Sequence, residues 1–214
     1  MTEQADLTAP RTRNPWGQGE KLRTEILAAA ARLLSELGSE EGLSIRGVAR
    51  AVGIAPASIY QHFEDKAELV RGLVNYDYEL LGTQMQAADE SVPAALPIKD
   101  VPVARLRAQM GAYCQFAIDN PGHYRLIYNN RERGGEPGKS PLGRIVGQIV
   151  NALQRCEAAG HELRQPAQRA AITVFVGAHG RVALYHAAPE AGDGAAGIYS
   201  FVDDLISLVF ADQV

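Results

Sequence analysis

The feature that most constrains this sequence is a pair of very short helical segments set on either side of one glycine, between Ser44 and Phe63. In Ser44-Ile45-Arg46-Gly47-Val48-Ala49-Arg50-Ala51-Val52-Gly53, the Ser44 hydroxyl can cap a helix N-terminus and Gly53 can take the left-handed conformation just past its end. A helix of only about two turns is implied. The chain restarts at Ala55-Pro56, with proline suited to a first helical turn, and runs through Ala57-Ser58-Ile59-Tyr60-Gln61-His62-Phe63. Upstream, Ile26, Leu27, Ala30, Leu33, Leu34 and Leu37 recur at helical spacing until Gly38 stops the run. A longer helix followed by two short ones across a tight glycine turn is the helix-turn-helix arrangement, whose second member presents its N-terminal residues to the major groove of DNA. Val48, Val52, Ile59 and Phe63 are expected to form the small core beneath it.

The rest of the chain keeps the same period. Lys66 opens an apolar-periodic segment through Leu69, Val70, Leu73, Val74, Tyr76, Leu80 and Leu81, and a stretch with Pro93, Pro97 and Pro102 then breaks it into a loop. Further helices are expected at Val103 to Asp119, Gly122 to Asn129, Leu142 to Ala159, Ala167 to Ala187 and Ala195 to Ala211, with turns such as Gly134-Gly135-Glu136-Pro137-Gly138 between them. No segment alternates as a strand does, and no internal repeat is visible. With 214 residues, two compact units are expected. The fold class is all-α: a three-helix DNA-binding domain over residues 20–66 behind a flexible arm at 1–19, then a helical ligand-binding and dimerisation domain over 67–214.

Several function classes are excluded. No apolar run approaches the length of a membrane span, and Met1 to Pro10 carries acids without an apolar block, so a cytoplasmic protein with no membrane partner is expected. Cys114 and Cys156 are too few for a disulfide framework and have no His or Cys at metal spacing, which reads as two buried thiols with neither metal nor cofactor. Catalysis lacks a glycine-rich phosphate loop or a nucleophile elbow, and His161, His179 and His186 sit at intervals unsuited to a metal. The formal charge of −4 runs against DNA binding unless charge is placed locally. Arg11, Arg13, Lys21 and Arg23 do precede or open the first helix, whereas Glu36, Glu40 and Glu41 lie at its far end. An arm carrying Arg11 and Arg13 suits an adjacent minor groove.

Ser44-Ile45-Arg46, Val48-Ala49, Val52-Gly53-Ile54, Ser58-Ile59-Tyr60-Gln61-His62-Phe63, Asp65-Lys66 and Leu69 together resemble the DNA-binding domain of the TetR-type repressors. The likeness spans roughly Glu20 to Leu73. Further on, Phe116-Ala117-Ile118-Asp119-Asn120-Pro121 and Gly177-Ala178-His179-Gly180 resemble the effector domain of the subgroup labelled WHG, although its usual Trp is missing from the second motif. The resemblance implies phosphate contacts from Tyr60, His62 and Lys66, with Ser44 against the DNA backbone as well. Tyr60 and His62 have a competing reading as packing on Phe63, and Lys66 as a solvated charge. Base reading falls to Arg46, suited to a guanine edge, with Ala57, Ser58 and Gln61 on the exposed side of the recognition helix. Ala55 stands where the family commonly has a Ser or Thr cap, so one hydroxyl contact to DNA is expected to be absent.

The last two helical runs carry more apolar surface than one core face needs: Ile172, Val174, Phe175, Val176, Val182 and Leu184, then Ile198, Phe201, Val202, Leu205, Ile206, Leu208 and Val209. By resemblance, this pair forms a homodimer interface, and a two-fold protein matches a palindromic operator. Gly177, Ala178 and Gly180 suit either close approach there or packing within the chain. The resemblance also implies a small-molecule effector among the middle helices, lined by Met110, Tyr113, Phe116, Tyr124, Tyr128, Phe175 and His179, although the last reads first as a satisfied buried histidine. A repressor released from its operator by that effector is the expectation. A regulator of the same fold without a ligand, or an activator, stays open.

Overall fold

Gly38 and Gly53 end the first two helices in the left-handed region, at φ 72° and 77°, where a residue with a Cβ would be strained. The computed structural model describes residues 18–93, 95–129, 140–190 and 193–211. The arm with Arg11 and Arg13 and the Gly134 to Gly138 turn lie outside the described residues. Among those described, the elements are α1 (Gln18–Leu37), α2 (Ile45–Val52), α3 (Pro56–Ile59), α4 (Lys66–Ser91), α5 (Val101–Asp119), α6 (Pro121–Asn129), α7 (Pro141–Ala158), α8 (Ala167–Ala187) and α9 (Gly194–Val209). The fold is all-α. An isolated antiparallel bridge between Leu163 and Phe210 ties the α7–α8 connection to the end of α9.

Local chemistry accounts for the helix starts. Ser44 Oγ accepts from the Gly47 amide at 3.1 Å, and Asp65 Oδ1 accepts from the Glu68 amide at 2.7 Å to begin α4. Ala55 sits at the N-cap of α3 with no side-chain hydrogen bond, and Pro56 fills the first turn. α3 is only four residues long. Tyr60, Gln61 and His62 continue it as a turn, closed by the His62 and Phe63 amides donating to the Ile59 carbonyl at 2.9 and 3.0 Å.

α4 departs from the sequence expectation by running on to Ser91. Its apolar rhythm thins after Leu81, but Met85 and Asp89 are buried on the same side. Asp89 accepts from Gln109 Nε2 on α5 at 2.5 Å and from the Arg155 guanidinium on α7. A buried carboxylate is tolerable only with such partners. Pro102, read as part of a loop, instead lies in the first turn of α5, where its missing N–H costs nothing.

Two hydrophobic cores result. The head core gathers Ile26 and Leu34 of α1, Leu43, Val48 of α2, Ile59 and Phe63, and also Leu69, Val70, Leu73 and Val74 of α4 and Leu126 of α6. Val52 packs against it half-buried. The body core runs from Leu81 and Met85 of α4 through α5 and α7 to Val174 and Val182 of α8 and Ile198, Val202 and Ile206 of α9. Tyr78 packs against both cores. α4 is therefore the shared beam.

Gly72 is where α4 touches the floor of the head. A Cβ there would lie 2.8 Å from Phe63 Cε1 and 3.2 Å from Leu27 Cδ2, and the Arg23 guanidinium covers the Phe63 ring 5.0 Å from its centroid. Gly72→Ala is expected to destabilise the protein by about 1–3 kcal/mol through overpacking, measured by urea unfolding; an unchanged midpoint would show that Phe63 yields freely. Burial also pushes the Cys114 thiol up to about 12 and the Cys156 thiol up to about 11. Both should resist iodoacetamide at pH 8 in the native protein and react after denaturation, with mass spectrometry counting the adducts.

Candidate nucleic-acid interface and buried cavity

On the head, burial separates the two sets of side chains in α2, α3 and the turn after it. Ile59 and Phe63 are buried at 0% and 1%, whereas Tyr60 is 56% exposed, so the phenol does not pack into the core with its neighbours. Ser44, Arg46, Ala57 and Gln61 are exposed, and Ser58 and His62 are half-buried. Ser44 spends a lone pair on its cap, which leaves its hydroxyl proton as a donor. The exposed set thus combines neutral donors with one guanidinium, in the segment that a helix-turn-helix turns toward DNA.

Lys66 is exposed and also serves the head's own structure. Its Nζ donates to the Glu40 carbonyl at 2.8 Å and the Glu41 carbonyl at 3.3 Å, pinning the α1–α2 connection to the start of α4. The Glu41 carboxyl beside it is held below the ordinary range, mainly by a hydrogen bond from Ser39, with the charges of Lys66 and Arg125 as lesser causes. Nothing in the sequence marks this arrangement, because the acceptors are backbone carbonyls some two dozen residues upstream.

In the body, α4, α5, α6, α7 and α8 enclose a cavity of about 110 Å³. Tyr113, Phe116, Tyr124, Tyr128, Phe175 and His179, all named from the sequence, line it together. Met110 does not: it is fully buried in the core away from the cavity wall. Sequence reasoning missed Tyr78, Leu81, Ala117, Ile127, Leu142 and Val176. Ile127 and Tyr128 follow Tyr124 by three and four residues, the spacing of one helix face, which was the available signal for Ile127.

His179 organises the aromatic wall. Its Nδ1 lies 2.7 Å from the Tyr113 hydroxyl, and Tyr124 donates its hydroxyl proton to the His179 carbonyl at 2.7 Å. The imidazole stacks with Phe175 (5.7 Å, 20°) and Tyr128 (5.6 Å, 24°) and lies 4.8 Å from the Tyr124 ring. It is therefore a hydrogen-bonded, half-buried histidine that also faces the cavity. Burial drives the Tyr113 phenol well above its ordinary value and raises that of Tyr124 too, the latter helped by Tyr128. Both stay neutral at physiological pH. Among the described residues, the lining contains no Asp, Glu, Lys or Arg.

The small residues of α8 divide between two jobs. A Cβ on Gly177 would lie 2.3 Å from Leu205 Cδ1, so this glycine admits α9 of the same chain. Ala178 is buried at 0% in the core. Gly180 is exposed, with nothing within 4 Å of a Cβ placed there. The apolar excess divides likewise: Val174, Val182, Ile198, Val202, Ile206 and Val209 are buried, whereas Ile172, Val176, Leu184, Phe201 and Leu208 are exposed at 39–67%. No helix among the described residues is long and apolar enough to cross a membrane.

Comparison with known proteins agrees with this division. Residues 26–73 match the family described as bacterial regulatory proteins, tetR family, and residues 106–206 match the tetracyclin repressor-like C-terminal domain. Among solved structures, a protein of unknown function from Rhodococcus sp. RHA1 is 24% identical with a TM-score of 0.71, covering 96% of this chain and 100% of that one. SmeT, the repressor of the Stenotrophomonas maltophilia multidrug efflux pump SmeDEF, is 20% identical with a TM-score of 0.64, covering 89% of this chain and 91% of that one. A tetR-family transcriptional regulator from Streptomyces coelicolor is 18% identical with a TM-score of 0.61, covering 88% and 80%. With a head and a body matched in order, and a helix-turn-helix that exposes its polar face, this chain belongs to the TetR family of DNA-binding transcriptional regulators and is not an enzyme.

Proposed function

We propose that the protein is a homodimeric repressor that leaves a palindromic operator when a small, uncharged, largely apolar molecule fills the cavity beneath its DNA-binding head. The observation that carries this reading is the aromatic cavity of about 110 Å³, walled in part by α4, the same helix whose first turns complete the head core. A cavity near this size suits a ligand of one ring, since an apolar void of about 150 Å³ holds benzene. A charged ligand would be stripped of water with no opposite charge among the described lining residues to compensate it. Release then needs only that the ligand bind the DNA-incompetent arrangement better.

The exposed side chains of α8 and α9 support dimerisation through those helices. Ile172, Val176, Leu184, Phe201 and Leu208 form apolar surface that a two-fold copy of the same patch would cover. In such a dimer two heads meet successive half-sites on one face of the duplex. Within each head, Tyr60, His62 and Ser44 serve phosphates, and Arg46, Gln61, Ser58 and Ala57 serve base edges. Lys66 contributes through the loop it pins, with its charge near the same DNA backbone.

The test is a salt titration of binding to an operator selected from random duplex by the full chain. Tyr60→Ala should weaken specific and random duplex alike, whereas Arg46→Ala should cost about 1–3 kcal/mol on the selected operator and relax one position. Equal losses on both duplexes for Arg46→Ala would remove it from base reading. Leu184→Glu with Leu208→Glu should give a monomer by sedimentation and sharply weaken operator binding; a dimer that persists would place the interface elsewhere.

A further inference from the structure

α6 carries two stripes of residues with opposite duties. Tyr124, Ile127 and Tyr128 line the cavity. Gly122, Arg125 and Leu126 meet the head: a Cβ on Gly122 would lie 3.1 Å from the Leu34 carbonyl oxygen of α1, Arg125 donates to the Gly38 carbonyl at 2.6 Å, and Leu126 lies in the head core. Between the stripes sits His123, 4% exposed. Its Nδ1 is 2.9 Å from Oδ2 of Asp77 on α4, itself 0% exposed. Its Nε2 is 2.9 Å from Ser35 Oγ and 3.1 Å from the Ala31 carbonyl, both on α1.

A carbonyl only accepts, so the proton on this ring edge belongs to Nε2, and a second proton is shared between Nδ1 and Asp77. Asp77 Oδ1 has no protein donor among the described residues, and burial raises the Asp77 carboxyl against the opposing pull of His123. His123 is thus the side chain that compensates the buried acid while reaching α1. The order serine, histidine, aspartate looks hydrolytic but has no such use: Ser35 lies in the last turn of α1, its Oγ donates back to Ala31 at 3.2 Å, and the nearby amides belong to the helix. Hydrogen bonds fix distance and angle more narrowly than apolar contacts do.

We infer that His123 is a positioning residue that locks α1 of the head to α6 and α4, so that filling the cavity moves the head through this polar joint and not through the apolar contacts around it. This rests on the reading of the cavity as the effector site. The variant His123→Asn keeps a donor for Asp77 but is too short to reach α1. Asp77→Leu with His123→Leu, which replaces the pair by apolar groups as buried pairs commonly tolerate, serves as a second variant should the first not fold.

Operator affinity of the full-length protein is measured with and without phenol, and again with Ala117→Leu, which enlarges a cavity-wall side chain without any ligand. In the parent, phenol or Ala117→Leu should weaken operator binding on the order of tenfold. In His123→Asn the same changes should move it by less than about twofold, with phenol binding by calorimetry unaltered. An equal loss in parent and variant overturns the role of His123 while leaving the cavity as effector site. A parent whose operator affinity responds to neither phenol nor Ala117→Leu overturns the effector reading and the joint with it.

Discussion

A single helix passing through two hydrophobic cores is the constraint on which the rest depends. At 26 residues α4 is about 39 Å long, and it is anchored at both ends by residues that cannot shift cheaply. Leu69 and Leu73 are fully buried in the head, and Met85 is fully buried in the body. Asp89 is fixed by Gln109 and Arg155. Because packed interiors change by discrete repacking, α4 cannot absorb a change in the cavity by bending gradually. Either the body end or the head end must move as a unit. Beside α4, α6 packs against both α1 of the head and α5 of the body, so on the proposed reading one short helix bears on whether a cavity event is felt at the DNA.

How much of this was legible in the sequence follows from interaction range. Ser44 and Gly53 announced α2 because caps act over three or four residues, and the stripe ending at Leu37 announced α1 in the same way. Six of the seven residues named for the cavity do line it, because ring-bearing side chains clustered on successive helices of the body. Met110 was misplaced since a helical period reports the buried side but not which buried residues border a void. The end of α4 was missed because Asp89 reads as a solvent residue until Arg155, far along the chain, is brought to it. Gly177 and Gly180 look equivalent in sequence, and only the position of Leu205 tells them apart. The His123–Asp77 pair spans 46 residues and its contact with Ser35 spans 88, so no local pattern could expose it.

The chemistry of the two sites differs in a way that suits their tasks. The described cavity wall carries no charged side chain: burial keeps the Tyr113 and Tyr124 phenols protonated, and both hydroxyls are spent on His179. A ligand there competes through shape and dispersion, and it perturbs the wall in proportion to the space it needs. The joint is the opposite: its polar groups are aimed at one another across three helices, and a displacement of a fraction of an ångström weakens every bond in the chain together. On the proposed reading, a soft sensor beside a stiff, directional link would turn a small steric demand into a change of head angle.

The acidic formal charge of the chain also finds its place. Between Glu20 and Lys66 acids and bases nearly balance, so no broad positive field gathers DNA from a distance. Lys66, the cation nearest the start of α4, is engaged with the carbonyls of Glu40 and Glu41, and the Glu41 carboxylate offsets part of its charge. On the proposed reading, phosphate contact falls in large part to the hydroxyls of Ser44 and Tyr60, which carry no charge, and to His62. Such contacts release few counterions, so affinity should depend less on salt than on geometry. A head that binds through placed donors gains little from drifting near DNA and loses much when its two copies are set at the wrong angle, and that dependence on angle is what a joint at α6 would exploit.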